Sequence, residues 1–234
     1  MCRARHLSLF WISFNLTNSE LRLRFVFVKD ETKYPSQLVV ALLLLIALVI
    51  SKTVWFIRFH GRENIPPADL GGLLIAANHQ TYIDPVWICI PMRRKFRFMA
   101  IDKAFDWPCV GSLIKYLGSF PVKHPVDTSR NVIKESLRSL TEGASLVVFP
   151  EGARELENGE MFEFKSGAIR VAMKAGVPIL PVSIRGGNKI WPQGRKYPRL
   201  FRRVEITYHA MITLDETKNA DEWTAYLKEV IGGV

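Results

Sequence analysis

Apolar residues fall in two different patterns along this chain. From Leu38 to Ile50 thirteen of them run without a break, LVVALLLLIALVI, and after Ser-Lys-Thr the apolar character resumes with Val54 to Ile57. A helix that crosses a bilayer needs about 20 such residues. The first run is short of that, and Leu38 to Ile57 reaches it only with Lys52 snorkelling to the headgroups. Two arrangements fit: a single span, or a helix embedded in one leaflet with its Trp and Lys at the interface. A buried core helix fits less well, because no polar face alternates with the apolar one. Before this segment, residues 1–37 show no sustained period and carry six Lys or Arg against three acids. They read as a basic arm, mobile or interfacial; Leu7 to Phe14 is too short and interrupted for a signal peptide.

From Gly71 the pattern changes to short apolar strands alternating with helices. Strands are predicted at 73–77 (LLIAA), 96–101, 145–149 (SLVVF), 177–184 and 204–212. Between them, Asp127 and Thr128 offer N-caps to a helix carrying Val132, Ile133, Leu137 and Leu140, stopped by Gly143. Further helices are predicted over 165–174, closed by Gly176, and over 221–231. Strands alternating with helices give an α/β fold: a single domain with a largely parallel central sheet flanked by helices, preceded by the apolar membrane-associated helix. The predicted organisation is therefore an arm at 1–37, a membrane-embedded or interfacial helix at 38–60, and one folded domain at 61–234.

Composition narrows the partners. The 234 residues carry a formal charge of +10, which suits a phosphate-rich partner, nucleic acid or an anionic membrane. At 48% hydrophobic the chain is not a polytopic membrane protein. Three cysteines, Cys2, Cys89 and Cys109, have no metal spacing and leave one unpaired, so no disulfide framework and no metal site is expected. Cys89 and Cys109 read as packing residues.

Polar groups interrupt the apolar strands at their C-terminal ends, where open α/β sheets bind ligands. The first group is Asn78-His79-Gln80-Thr81-Tyr82-Ile83-Asp84-Pro85. Histidine at a strand end is a ready general base, given a carboxylate on its other ring nitrogen to fix the tautomer. Residues five apart point about 140° away from each other on a helix. The His79–Asp84 pair therefore needs 79–83 to be a turn, with Asp84 as N-cap and Pro85 at the first helical position. Asp84 also reads more simply as a cap and nothing else. The second group is Phe149-Pro150-Glu151-Gly152-Ala153-Arg154, in which Gly152 permits an unusual turn, Arg154 offers a fork of donors to a phosphate, and Glu151 orients it or touches the acceptor. The third is Gly118-Ser119-Phe120-Pro121-Val122-Lys123-His124-Pro125, and the fourth Val177-Pro178-Ile179-Leu180-Pro181-Val182, a wall rather than a reactive group.

In this order the four groups resemble the glycerophospholipid acyltransferase family, in particular its bacterial lysophosphatidic acid acyltransferases, over roughly residues 61–212. Asn78, His79 and Asp84 match its Asn-His-x4-Asp block, and 149–154 match Phe-Pro-Glu-Gly-Thr-Arg with Ala153 in place of Thr. Phe164-Lys165-Ser166-Gly167-Ala168 also fits. The second block departs: where the family ends it with a phosphate-holding Arg, this chain has Lys123 and His124, with Arg130 a turn away. Lys123 supplies a point charge but no bidentate grip.

The resemblance implies transfer of a fatty acyl group from acyl-carrier protein or acyl-CoA, as co-substrate and without a cofactor, to the free hydroxyl of lysophosphatidic acid. His79 and Asp84 are then catalytic; Asn78, Lys123, Glu151, Gly152 and Arg154 bind substrate. It also implies a cell-membrane location with the catalytic domain on the cytoplasmic side. Two basic clusters, Arg93–Arg97 and Arg185–Arg203, are expected to draw the domain onto an anionic membrane or an acidic carrier. Another lysolipid acceptor, or a non-catalytic lipid-binding relative, would fit the altered second block. A nucleic-acid-binding domain would fit the charge with Trp191 and Tyr197. The apolar segment and the lack of any binding module argue against it, and no nucleic acid is expected.

Overall fold

The computed structural model describes residues 34–123, 130–154, 159–192 and 195–233. The expectations placed on residues 1–33, His124, Asp127 and Thr128 lie outside them. Seven strands form one sheet: β1 (Arg58–His60), β2 (Leu73–Ala77), β3 (Phe96–Ile101), β4 (Ser119–Val122), β5 (Ser145–Val148), β6 (Ile179–Arg185) and β7 (Glu205–Tyr208). Their spatial order is β1-β7-β6-β2-β5-β3-β4. Strands β2 to β6 run parallel; β7 pairs antiparallel with β6, and β1 lies parallel to β7. The predicted α/β class and largely parallel sheet are what the chain adopts.

Helices cover both faces, and this explains why the inner strands read as unbroken apolar runs. Leu73, Ile75 and Ala77 of β2 face one core with Trp87, Ile88 and Trp55; Leu74 and Ala76 face the other with Leu140, Ile169 and Leu227. The first face is covered by α1 (Gln37–Val54) and α2 (Asp84–Cys89), the second by α4 (Arg130–Thr141), α5 (Gly167–Ala175) and α7 (Ala220–Gly232). Two short helices, α3 (Val110–Tyr116) and α6 (Gly187–Ile190), complete the set. Pro121 sits in β4, an edge strand, where a missing amide is tolerated.

The apolar segment departs from its predicted extent. Helix α1 has 18 residues of mean hydropathy 2.4, long and apolar enough to cross a membrane by length and composition. It stops at Val54 and does not continue to Ile57. The amides of Trp55 and Ile57 both donate to the Ser51 carbonyl, at 3.1 Å each. Both side chains turn into the core, and Ser51 is itself buried, accepting from Trp87 Nε1 at 3.0 Å. One stripe of α1 is thus docked on the domain. The opposite stripe, Leu38, Leu42, Leu45 and Val49, is exposed and wholly apolar.

Helix α7 carries a start signal that the periodicity alone does not display. Asn219 accepts from the amides of Asp221 and Glu222, and the Glu222 carboxylate accepts from the Asn219 amide, a reciprocal capping box. Replacing Asn219 with Ala is expected to cost about 1 kcal/mol, read as a fall of about 2–4 °C in the thermal midpoint. An unchanged midpoint would mean that packing of Trp223, Leu227 and Ile231 sets the helix without its cap.

Candidate active site

Strand β2 lies near the middle of the sheet and ends at Ala77, so residues 78 onward emerge on the carboxyl edge between the ends of β5 and β6. Side chains tie the three neighbouring loops together. Asn78 donates to the Ile184 carbonyl at 2.9 Å and accepts from the Ile184 amide at 2.7 Å. Gln80 accepts from the Gly187 amide at 2.8 Å. A β-carbon at Gly187 would sit 2.9 Å from that of Gln80, so only glycine lets the β6 loop come this close. On the other side, Glu151 accepts from the His79 amide at 2.7 Å and from the Phe162 amide at 2.8 Å.

Within this frame residues 79–83 form a turn, and His79 Nδ1 lies 2.9 Å from Asp84 Oδ2. Asp84 is fully buried. Besides His79 it accepts from the amides of Gln80 at 2.6 Å and Thr81 at 2.7 Å, and from Thr81 Oγ1 at 2.6 Å. Those three donors hold the carboxylate in place, and the imidazole meets it as the fourth partner. The expected cap is corrected: Asp84 is the first residue of α2, and its side chain makes no capping bond to that helix. The amides of Val86 and Trp87 go instead to the Ile83 carbonyl, and the carboxylate faces back to the turn. With Nδ1 donating to Asp84, Nε2 is left as the ring's acceptor. The imidazole is about one-fifth exposed and stacks on Phe149, with centroids 3.9 Å apart and planes at 16°, which limits its rotation.

Arg154 reaches the same edge. Its guanidinium lies over the Tyr82 ring, 3.4 Å from the centroid, and Tyr82 stands edge-on to Trp107 at 5.3 Å and Trp191 at 5.4 Å. Burial lowers the pKa of Arg154 from its ordinary value, with Tyr82 and Asp84 acting in the opposite sense. Among the described residues no carboxylate pairs with it. Gly152 holds φ +70, and a β-carbon there would meet Lys165 Nζ at 2.8 Å, so the Lys165 ammonium stands over this loop. Lys123 follows β4 on the same edge, three strands from β2, or about 14 Å of sheet.

Several sequence expectations change here. Asn78 and Glu151, expected to bind substrate, are both buried and hold backbone groups of neighbouring loops. Cys89 is buried as expected, whereas Cys109 is exposed. The first basic cluster runs into the start of β3, at the opposite edge of the sheet from His79. Two of its members are taken up by the fold: Arg94 donates to Ser145 Oγ and to the carbonyls of Pro67 and Gly71, and Arg97 is buried beside Glu135 at 3.5 Å. Sequence reading missed Phe149, Thr81 and Lys165 as parts of the site. For Phe149 and Thr81 the available signal was adjacency to the two matched blocks. A serine–histidine contact elsewhere, Ser183 Oγ to His209 Nε2 at 2.7 Å, is no nucleophile pair, since Ser183 is buried and donates its proton to the Ile231 carbonyl.

The chain is similar to known proteins throughout this region. A family model described as Acyltransferase matches residues 56–185. A chloroplastic 1-acyl-sn-glycerol-3-phosphate acyltransferase of Arabidopsis thaliana is 32% identical over 157 residues, 67% of this chain and 43% of its own length. A 1-acyl-sn-glycerol-3-phosphate acyltransferase of Bacillus subtilis is 28% identical over 145 residues, 59% of this chain and 69% of its own length. Three plant and algal relatives are thus matched over less than half their length, 43% to 48%. The crystal structure of the 1-acyl-sn-glycerophosphate acyltransferase of Thermotoga maritima superposes with a TM-score of 0.69 at 27% identity, covering 83% of this chain and 76% of that one.

Proposed function

The chain belongs to the Acyltransferase family, and on that footing we propose that it transfers a fatty acyl group from an acyl thioester to the free hydroxyl of lysophosphatidic acid, giving phosphatidic acid. The observation that carries this reading is the His79–Asp84 contact at 2.9 Å, on the same sheet edge as the Arg154 guanidinium.

His79 Nε2 takes the proton of the acceptor hydroxyl as its oxygen attacks the thioester carbonyl. Asp84 holds the ring and stabilises the imidazolium. As the tetrahedral intermediate collapses, the new C–O ester bond remains, the C–S bond breaks, and His79 returns the proton to the leaving thiolate. The hydroxyl of Thr81, which lies between the pair in sequence, donates to Asp84 at 2.6 Å and accepts from the Ile83 amide at 3.0 Å. That engagement favours direct transfer over a covalent acyl-enzyme. Arg154 supplies the bidentate grip on the acceptor phosphate, with Lys165 and Lys123 as added positive charge on the same edge.

The exposed apolar stripe of α1 supports attachment to a membrane, where a lysolipid acceptor resides. The basic residues of the active-site edge support an anionic bilayer and, for the catalytic domain, the cytoplasmic side. The thioester is carried by acyl-carrier protein or by coenzyme A.

Thiol release from a long-chain acyl thioester tests the reading, using detergent-solubilised protein with lysophosphatidate, with other lysophospholipids, and with no acceptor. Release that depends on lysophosphatidate is expected. Release only with other lysophospholipids would keep the chemistry and move the acceptor. No release from folded protein with any acceptor would end the enzymatic reading.

A further inference from the structure

We infer that Phe56, Leu200 and Phe201, flanked along the chain by Arg58, Arg199 and Arg202, form a second membrane contact that inserts into an anionic bilayer beside the active-site edge. This rests on the proposed lipid substrate and goes beyond it, because it concerns a surface separate from the outer face of α1.

Backbone conformation is the first observation. Among the described residues three non-glycine positions have positive φ, and two of them are Phe56 at 44° and Phe201 at 55°. Their rings lie 6.3 Å apart although the residues are far apart in sequence. A bulky side chain in this region is strained and persists only where its surroundings fix it. Here they do. The Phe201 amide donates to the Val54 carbonyl at 2.8 Å, the Val204 amide to Trp55 at 3.3 Å, and the Arg58 amide to Val204 at 2.9 Å. Trp55 Nε1 donates to the Arg199 carbonyl at 2.9 Å. Trp55, Ile57 and Val204 are buried around these bonds, so the two phenylalanines are turned outward: Phe56 is 49% exposed, Phe201 65% and Leu200 54%. Glycine at either position would relieve the strain and remove an apolar ring from water. The chain retains the costlier choice twice, on adjoining segments.

Charge and placement give the occupant. No acidic residue occurs between 186 and 204 or between 50 and 58, while Arg58, Arg199, Arg202 and Arg203 are exposed. Each such cation near an anionic bilayer raises affinity about fivefold. In the strand register Arg58 lies opposite Glu205, and Glu205 opposite Arg185 at the carboxyl end of β6. The patch therefore lies on the same sheet edge as His79, and at the C-terminal end of α1 whose outer stripe is apolar. An acidic soluble carrier would be satisfied by the arginines alone. Exposed phenylalanine and leucine side chains flanked by exposed arginines match a headgroup layer above acyl chains.

The test uses the full chain and needs no turnover. Phe201→Trp places a reporter at the tip. In mixed phosphatidylcholine–phosphatidylglycerol vesicles its added fluorescence, relative to wild type, is expected to be quenched by lipids brominated in the acyl chain and shielded from aqueous acrylamide. The double variant Phe56→Gly/Phe201→Gly is expected to melt at the wild-type temperature or above, and to bind the same vesicles about tenfold more weakly. Full acrylamide access in the vesicle-bound reporter, or unchanged affinity of the double variant, would overturn the inference. So would a double variant that melts several degrees lower, since the rings would then serve the fold. Shielding of the reporter by acyl-carrier protein without vesicles would assign the patch to the carrier instead. A chain that inserts this patch yet releases no thiol would leave the inference standing and remove the proposed reaction.

Discussion

His79→Ala is expected to lower acyl transfer about 10³-fold or more while the protein melts within a few degrees of wild type. The rate effect follows from removing the base that accepts the hydroxyl proton, a contribution of roughly 10²–10⁴, together with the ring on which the attacking oxygen is aligned. The small stability effect follows from what the imidazole touches: one stacked ring, Phe149, at 3.9 Å, and one carboxylate that keeps other donors. Asp84→Ala separates the two quantities. Activity should fall as far, because Nδ1 loses the acceptor that sets its tautomer. Here, however, the amides of Gln80 and Thr81 and the Thr81 hydroxyl lose their buried partner as well. Leaving such donors unsatisfied costs about 2–4 kcal/mol in all, a fall of about 5–15 °C. Steady-state rates and melting curves on both variants check this. A His79→Ala protein that keeps a tenth of its activity would remove His79 as the base.

The pair could be read from sequence because everything it needs lies within one turn. A histidine at a strand end, a carboxylate five residues on and a proline after it constrain each other locally, and the structure closes the contact where that reading placed it. Arg154 was legible for the same reason, following a buried strand by a few residues. What was not legible depends on partners distant in the chain. The end of α1 is set by Ser51 and by Trp55 turning toward Arg199, 144 residues away, so an apolar run alone could not mark Val54 as its last residue. Arg93–Arg97 and Arg185–Arg203 look alike as charge runs. Only strand direction puts them at opposite edges of the sheet, and only packing shows that Arg94 and Arg97 are taken up by the fold.

Glu151 is the sharpest case, and it carries the second large effect. Its motif suggests a group that orients Arg154 or touches the acceptor, but its carboxylate spans two backbone amides, His79 at a separation of 72 residues and Phe162 at 11. Backbone donors have no signature in sequence, so nothing there shows which amide needs a carboxylate. Glu151→Gln keeps the shape and replaces one acceptor oxygen with a donor that faces an N–H. One amide loses its partner in a buried place, expected to cost about 1–3 kcal/mol. The segment carrying His79 then shifts, and a displacement near 1 Å at the reacting group is worth about 10²-fold in rate. The expected result is therefore a fall in kcat of about that size with a lowered melting temperature and little change in the KM for lysophosphatidate. A substrate-binding Glu151 would do the reverse, raising KM while the protein melts as wild type does. The melting curve and the split between kcat and KM decide whether this carboxylate holds the base or the acceptor.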